Sequence, residues 1–191
     1  MIKIYLYIIL ILSFASCNLF TPRDAEEPTE NTSNFQPPTT ADIVIENLTN
    51  SIIERNSINY SQCFGGNNLE YNFVPAAEVQ ANYPSIFSWW NIASEKSYFD
   101  NLIIQTDKYS SSSVTFSNVI RQSATSDSII YQASYNLNFE HSATDVPKVA
   151  IGNLQFSIKR DRNNNWYITR WTDFKIQNQF SWSDLKVRFS N

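Results

Sequence analysis

Polar and apolar residues alternate most regularly in "SIIYQASYNLNF". Ile129, Tyr131, Ala133, Tyr135, Leu137 and Phe139 fall on one side, and Gln132, Ser134, Asn136 and Asn138 on the other. A period of two with one apolar and one polar side predicts an antiparallel strand that buries one face and wets the other. The same pattern recurs in "SVTFSNVI" before it and in "VAIGNLQFSIK" and "WYITRWTDFKI" after it. The connectors "RQSATSD", "EHSATDVP" and "RDRNNN" are short and polar, as hairpin loops require. Upstream the period lengthens. In "TTADIVIENLTNSII", Val44, Leu48 and Ile52 recur at i, i+4 and i+8, with Thr39 and Asp42 at capping-box spacing. A second, short helix is expected to turn Ile58, Ser61 and Phe64 inward. "GGNN" (65–68) reads as a turn, and Leu69, Tyr71 and Phe73 alternate in a strand that ends at Pro75. A third helix is predicted over 90–105, with Ile92, Phe99 and Ile103 in one stripe. Helices first and strands afterwards give an α+β fold, its N-terminal helices packed on a curved antiparallel sheet.

The N-terminus follows a different rule. Lys3 precedes nine apolar residues, Ile4 to Leu12. A membrane span takes about 20 such residues, whereas a signal-peptide apolar region takes about 7–15. Ala15 and Ser16 follow, and then Cys17, so that "LSFASC" resembles the lipobox of bacterial lipoproteins, with Phe14 where a Leu-like residue is more usual. The resemblance implies that the chain is cut before Cys17 and that acyl chains are attached there, placing the protein in the cell envelope, on the outer membrane, with the periplasmic or surface face left open. Cys63 is then the one thiol left over, and no disulfide framework exists. "NYSQCF" suits the inner face of a helix, where a free cysteine behaves as a small hydrophobe.

Composition divides the remainder. Residues 17–38 carry several prolines and four acids, Asp24, Glu26, Glu27 and Glu30, and cannot bury enough surface to offset their ordering entropy. They read as the lipidated cysteine and a linker after a signal peptide over 1–16. Residues 39–191 are long enough for one domain with its own core. The net charge is −4, and −5 once Lys3 is removed (−4 − 1); with no basic cluster, nucleic acid is not an expected partner.

The order helix, helix, strand, helix and four strands over about 40–180 resembles the nuclear transport factor 2-like superfamily, in which a curved sheet wraps helices into a cone. "NWYITRWTDF" on the last long strand and the tail "SWSDLKVRF" are similar to features of lipoproteins with this fold. In the tail, Ser181 and Asp184 are placed to cap a final turn that docks Trp182, Leu185 and Phe189. The resemblance implies either a non-enzymatic binder or a small hydrolase, isomerase or dehydratase with an acid inside the cone.

Candidate chemistry is sparse. Glu95, beside the Trp89–Trp90 pair, is the weak candidate for a general base; the plainer reading puts it on the wet face or paired with Lys96 or a distant arginine. Trp90, Tyr131, Tyr135, Phe156, Trp166 and Arg170 are the candidates for lining a pocket, and ordinary core packing explains the tyrosines equally well. Strict alternation turns Arg170 inward with Trp166 and Ile168. Either a carboxylate or anionic ligand meets it there, or a β-bulge shifts the register and brings Trp171 in instead. His141, the single histidine, falls in a connector and reads as solvated, which leaves Cys63 a poor nucleophile. No metal-ligand set, phosphate loop or nucleophile elbow is present in the sequence, and no cofactor is expected. Expected partners are the membrane, through Cys17, and either a small apolar ligand in the cone or an envelope protein on the exposed sheet face.

Overall fold

A computed structural model describes residues 33–190, apart from 67 and 108. The expectations for 1–16, for Cys17 and for the linker up to residue 32 lie outside the described residues. Among the described residues eleven elements follow in order: α1 (Ala41–Ile53), α2 (Ser57–Gln62), β1 (Asn72–Val74), α3 (Ala77–Asn82), α4 (Pro84–Phe87), α5 (Ile92–Ile104), β2 (Ser112–Thr125), β3 (Ser128–Phe139), β4 (Val149–Arg160), β5 (Trp166–Lys175) and α6 (Trp182–Phe189). The strands form one mixed, open sheet in the order β1-β5-β4-β3-β2. β2 to β5 pair antiparallel, and short β1 joins β5 in parallel at one edge.

β3 spans the segment with the cleanest alternation, and Tyr131, Ala133, Tyr135, Leu137 and Phe139 are all buried. The ladders are interrupted at three places, one of them between Ser123 and Thr125 at the end of β2. In β2 the register slips between Ser117 and Ile120, around Asn118 at φ 52°. In β5, Ser157 faces Arg170 while Ile158 faces Ile168, so Thr169 is the extra residue of a bulge. The bulge decides the choice left open by the sequence. Trp171 is fully buried and Arg170 is exposed.

The helices cover one face of this sheet, and several details differ from expectation. α1 is capped by Thr40, whose hydroxyl accepts from Ile43 N, one residue later than expected. In α2 it is Tyr60 that turns inward, followed by Cys63 and Phe64, while Ile58 stands 61% exposed. α5 buries Glu95, Tyr98, Phe99 and Leu102, a stripe at i, i+3, i+4 and i+7; of the expected stripe Phe99 is buried, while Ile92 and Ile103 are only partly buried beside it. α3 and α4 are additional; six and four residues are too few to show a helical period. Residues 33–38, assigned to the linker by composition, are fastened to the body. Asn47 exchanges two hydrogen bonds with the Gln36 backbone, Asn34 bonds to Glu54, and Trp166 N donates to Pro38 O.

The tail folds as expected. Ser181 and Asp184 form a reciprocal capping box, and Trp182, Leu185 and Phe189 are buried. α6 packs against β4, β5 and α5, which carries its side chains into the middle of the core.

Candidate functional site

Two charged residues meet at the centre of the helix–sheet sandwich. Glu95 arrives from the first turn of α5, set by the capping box of Asn91 and Ser94. Lys186 arrives from α6, four residues after Trp182 and on the same buried face. They form an ion pair in which neither side chain has any exposed area. The Glu95 carboxylate also accepts from Tyr71 Oη at 2.5 Å and Trp90 Nε1 at 2.8 Å, both on Oε1, and from Tyr60 Oη at 3.1 Å on Oε2. Lys186 Nζ lies 4.0 Å from the Phe73 ring centroid and 4.1 Å from that of Trp171, with Tyr98 and Trp90 slightly farther off. The ammonium is therefore held in an aromatic cage whose open side is the carboxylate.

A second buried carboxylate lies beside this one. Asp173 of β5 accepts from Tyr135 Oη at 2.8 Å, and from Ser183 N at 2.8 Å and Ser183 Oγ at 2.5 Å. Tyr135 in turn accepts from Trp182 N at 2.7 Å, and Tyr98 accepts from Trp182 Nε1 at 2.9 Å. Gly152 makes room for this, because a Cβ there would lie 2.4 Å from the Tyr135 hydroxyl. The first turn of α6 is thereby fixed to the sheet by hydrogen bonds to buried groups, each of which would be costly to leave unpaired.

The electrostatics follow from burial. Burial pulls the Lys186 ammonium down to about 8, against the attraction of Glu95 and Asp173. Burial raises Tyr60 and Tyr71, and the Glu95 charge raises both further. Tyr98 is raised by burial and then by Glu95, and Tyr135 by burial and then by Asp173. Asp173 is raised by burial, with its bonds to Ser183 and Tyr135 acting the other way.

The sequence-predicted candidates are dispersed around this centre. Glu95 is neither on a wet face nor paired with Lys96, which bonds to Asp100 instead; its partner is Lys186. Trp90 is buried and forms the wall between Glu95 and an open groove of about 560 Å³ lined by Ser94, Ser97 and Ser190. Tyr131 and Phe156 stack on each other in the core, and Tyr135 serves Asp173. Trp166 is half-buried at the start of β5, lines a second groove of about 510 Å³ near the N-terminus of α1, and carries Arg160 over its ring. Arg170 points away from all of them. His141 is 5% exposed rather than solvated, packed edge-on against Phe189 with Nδ1 unpartnered. Cys63 is buried and free at the end of α2, and burial pushes its thiol up, away from the nucleophilic thiolate.

Lys186, Asp173, Ser183 and the three tyrosines around Glu95 and Lys186 were not legible as a group. The available signal was that Glu95 and Lys186 each interrupt an apolar helical stripe with a charge of opposite sign.

Comparison with known proteins bears on the fold alone. No protein-family model matches the sequence, and no curated protein does either. Solved structures do match. A candidate aromatic ring hydroxylase from Novosphingobium aromaticivorans superposes with a TM-score of 0.55 at 11% identity, covering 76% of this chain and 92% of its own. A nuclear transport factor 2-like superfamily protein from Salmonella enterica serovar Typhimurium gives 0.52 at 8%, covering 71% and 89%. A candidate dehydratase of the same family from Streptomyces avermitilis gives 0.51 at 8%, covering 71% and 92%. The chain has the nuclear transport factor 2-like fold. Within that fold, the space between helices and sheet is occupied here by the Glu95–Lys186 pair and its aromatic cage. Tyr60, Tyr98, Phe156 and Trp171 complete the filling with essentially no exposed surface.

Proposed function

We propose that this protein is an envelope lipoprotein, held to the membrane by acyl chains on Cys17, whose nuclear transport factor 2-like domain is a non-enzymatic binding and interaction module. One observation carries the reading of the domain: the inside of the cone is filled. A substrate must touch the group that transforms it, and Glu95, the acid best placed for that role, has no exposed surface and four hydrogen-bonded partners. The alternative, a hydrolase, isomerase or dehydratase of the kind that the Streptomyces avermitilis neighbour represents, therefore lacks a path to its base. A small apolar ligand in the cone is disfavoured for the same reason.

The sheet's outer face supports the remaining option, a protein partner. Its rows read Ser117–Ser134–Asn153–Phe174 and Ile120–Gln132–Gln155–Thr172 across the strands. Amides and hydroxyls predominate and no carboxylate occurs in either row, while Ile120 and Phe174 stand 60% and 47% exposed. Photo-crosslinking in the native envelope tests this reading. A crosslinker at Asn153 is expected to give a discrete protein adduct, and one at Glu46 on the exposed side of α1 none. No adduct at Asn153, or equal adducts at both sites, would refute it. For the anchor, Cys17→Ser is expected to release the protein from the membrane fraction and to abolish acyl labelling; retention of both would overturn the lipobox reading.

A further inference from the structure

A buried ammonium seated against a buried carboxylate has a second fate open to it besides an ion pair. We propose that Lys186 and Glu95 condense to an intramolecular isopeptide bond, which joins α6 covalently to α5 across 91 positions of sequence.

The arrangement has the parts this reaction needs. Nζ hydrogen-bonds to Glu95 Oε1, and a nitrogen so bonded stands within about 3.5 Å of the carboxyl carbon, the separation of reacting atoms held for attack. The aromatic cage of Phe73 and Trp171 leaves the nitrogen only the carboxyl side to move toward. Zero exposure of both side chains keeps out the water that competes with an amine. Donors surround the carboxyl group: Tyr71 and Trp90 on Oε1, and Tyr60 on Oε2. They are placed to hold the negative charge that develops on oxygen in the tetrahedral intermediate.

The step balances without a co-reactant. One proton passes from the ammonium to the carboxylate, giving a free amine and a carboxylic acid. The nitrogen lone pair attacks Cδ, the C–N bond forms, and the carbonyl electron pair moves onto oxygen. A second proton then leaves the nitrogen for the hydroxyl oxygen, with the Tyr71 hydroxyl in reach to relay it. The C–O bond breaks and water departs. An ammonium and a carboxylate thus become a secondary amide and one water, with no change of oxidation state. Burial, which brings the Lys186 ammonium down to about 8, makes the free amine accessible near neutral pH. Nζ hydrogen-bonds to Glu95 and not to Asp173, the other carboxylate that acts on Lys186, which makes Glu95 the acceptor. A cross-link also fits a chain whose described residues hold a single, unpaired cysteine and whose C-terminal helix completes the core.

The test is made on the wild-type full chain, purified from membranes, denatured and cut with trypsin. The expected product is a branched peptide joining residues 56–96 to residues 176–188, one water lighter than the sum of the two, with Lys186 protected from cleavage. Free 56–96 together with free 176–186 would overturn the proposal. So would a branched peptide that joins 176–188 to 171–175, because the acceptor would then be Asp173.

Discussion

One residue, Thr169, decides which neighbour enters the core. Were Thr169 paired in the ladder instead of bulged out, alternation from Ile168 would send Arg170 inward and Trp171 out; the bulge reverses them. Deleting Thr169 makes Arg170 follow Ile168 directly, in register with Ser157 and Ile158, and is therefore expected to keep the chain soluble with Trp171 buried among Phe64, Phe73 and Phe156. Insoluble expression, or tryptophan fluorescence shifted to that of an exposed indole, would contradict this. The sequence presented the bulge only as one of two ways out of an awkward alternation, since register is a property of the paired strand as much as of the strand itself. Glu95 and Lys186 raise the same point more strongly. Each was visible as a charge near an apolar stripe, but their pairing depends on a fold that brings positions 91 apart together. Replacing Lys186 by Met removes the cross-link and strands the carboxylate, and should lower stability by at least about 3–5 kcal/mol in urea unfolding, whereas the double change Glu95→Leu with Lys186→Met should recover only the part due to the stranded charge. A double variant as unstable as the single one would show that cage packing, rather than charge, dominates.

Among the elements, the C-terminal helix was the most legible and is the most consequential. Ser181 and Asp184 stood at capping-box spacing before an apolar pattern, and the helix begins there. Its docking was not legible, because Asp173 reads as a polar residue on a strand until Ser183 and Tyr135 are seen to converge on it. Two substitutions separate the cap from the dock. Ser181→Ala removes the cap and should cost about 1 kcal/mol. Asp173→Ala leaves Ser183 N and the Tyr135 hydroxyl without their acceptor inside the core and should cost more, about 2–3 kcal/mol. Equal losses in chemical denaturation would mean that the cap and the dock contribute alike. Helices α3 and α4 show the opposite limit. "AEVQAN" and "PSIF" are shorter than the window in which a 3.6-residue period can be counted, and only Pro84 at the start of α4 marked a boundary.

For the whole molecule, the fold class was readable from element order, while what fills the cone was not, because the filling is set by tyrosines that come from three different elements and the loop before β1. That filling also sets the response to alkali. Tyr60, Tyr71, Tyr98 and Tyr135 all have folded-state values raised above their ordinary 10.0. Above that pH the unfolded chain loses tyrosine protons that the folded chain keeps, so the folded state binds more protons and stability falls as pH rises. Four such groups together give a fall of up to about 5 kcal/mol per pH unit once all are engaged. A free Lys186 would act in the opposite sense. Its folded value of about 8 lies below the ordinary 10.5, so between these values the unfolded chain holds the extra proton and stability rises with pH. An amide at Lys186 does not titrate and removes that rise. The expected curve for the wild-type chain is therefore level from about pH 8 to about pH 9, declines beyond that as the buried Cys63 thiol, raised above its ordinary 9.0, counts against the folded state, and falls steeply above pH 10, where the buried tyrosines ionise together with loss of the far-ultraviolet circular dichroism. A rise in unfolding free energy between pH 8 and 9 would mean that Lys186 is a free amine, and more tyrosinate before the loss of structure than the exposed or half-buried Tyr83, Tyr109 and Tyr167 can supply would mean that the cone is open to solvent.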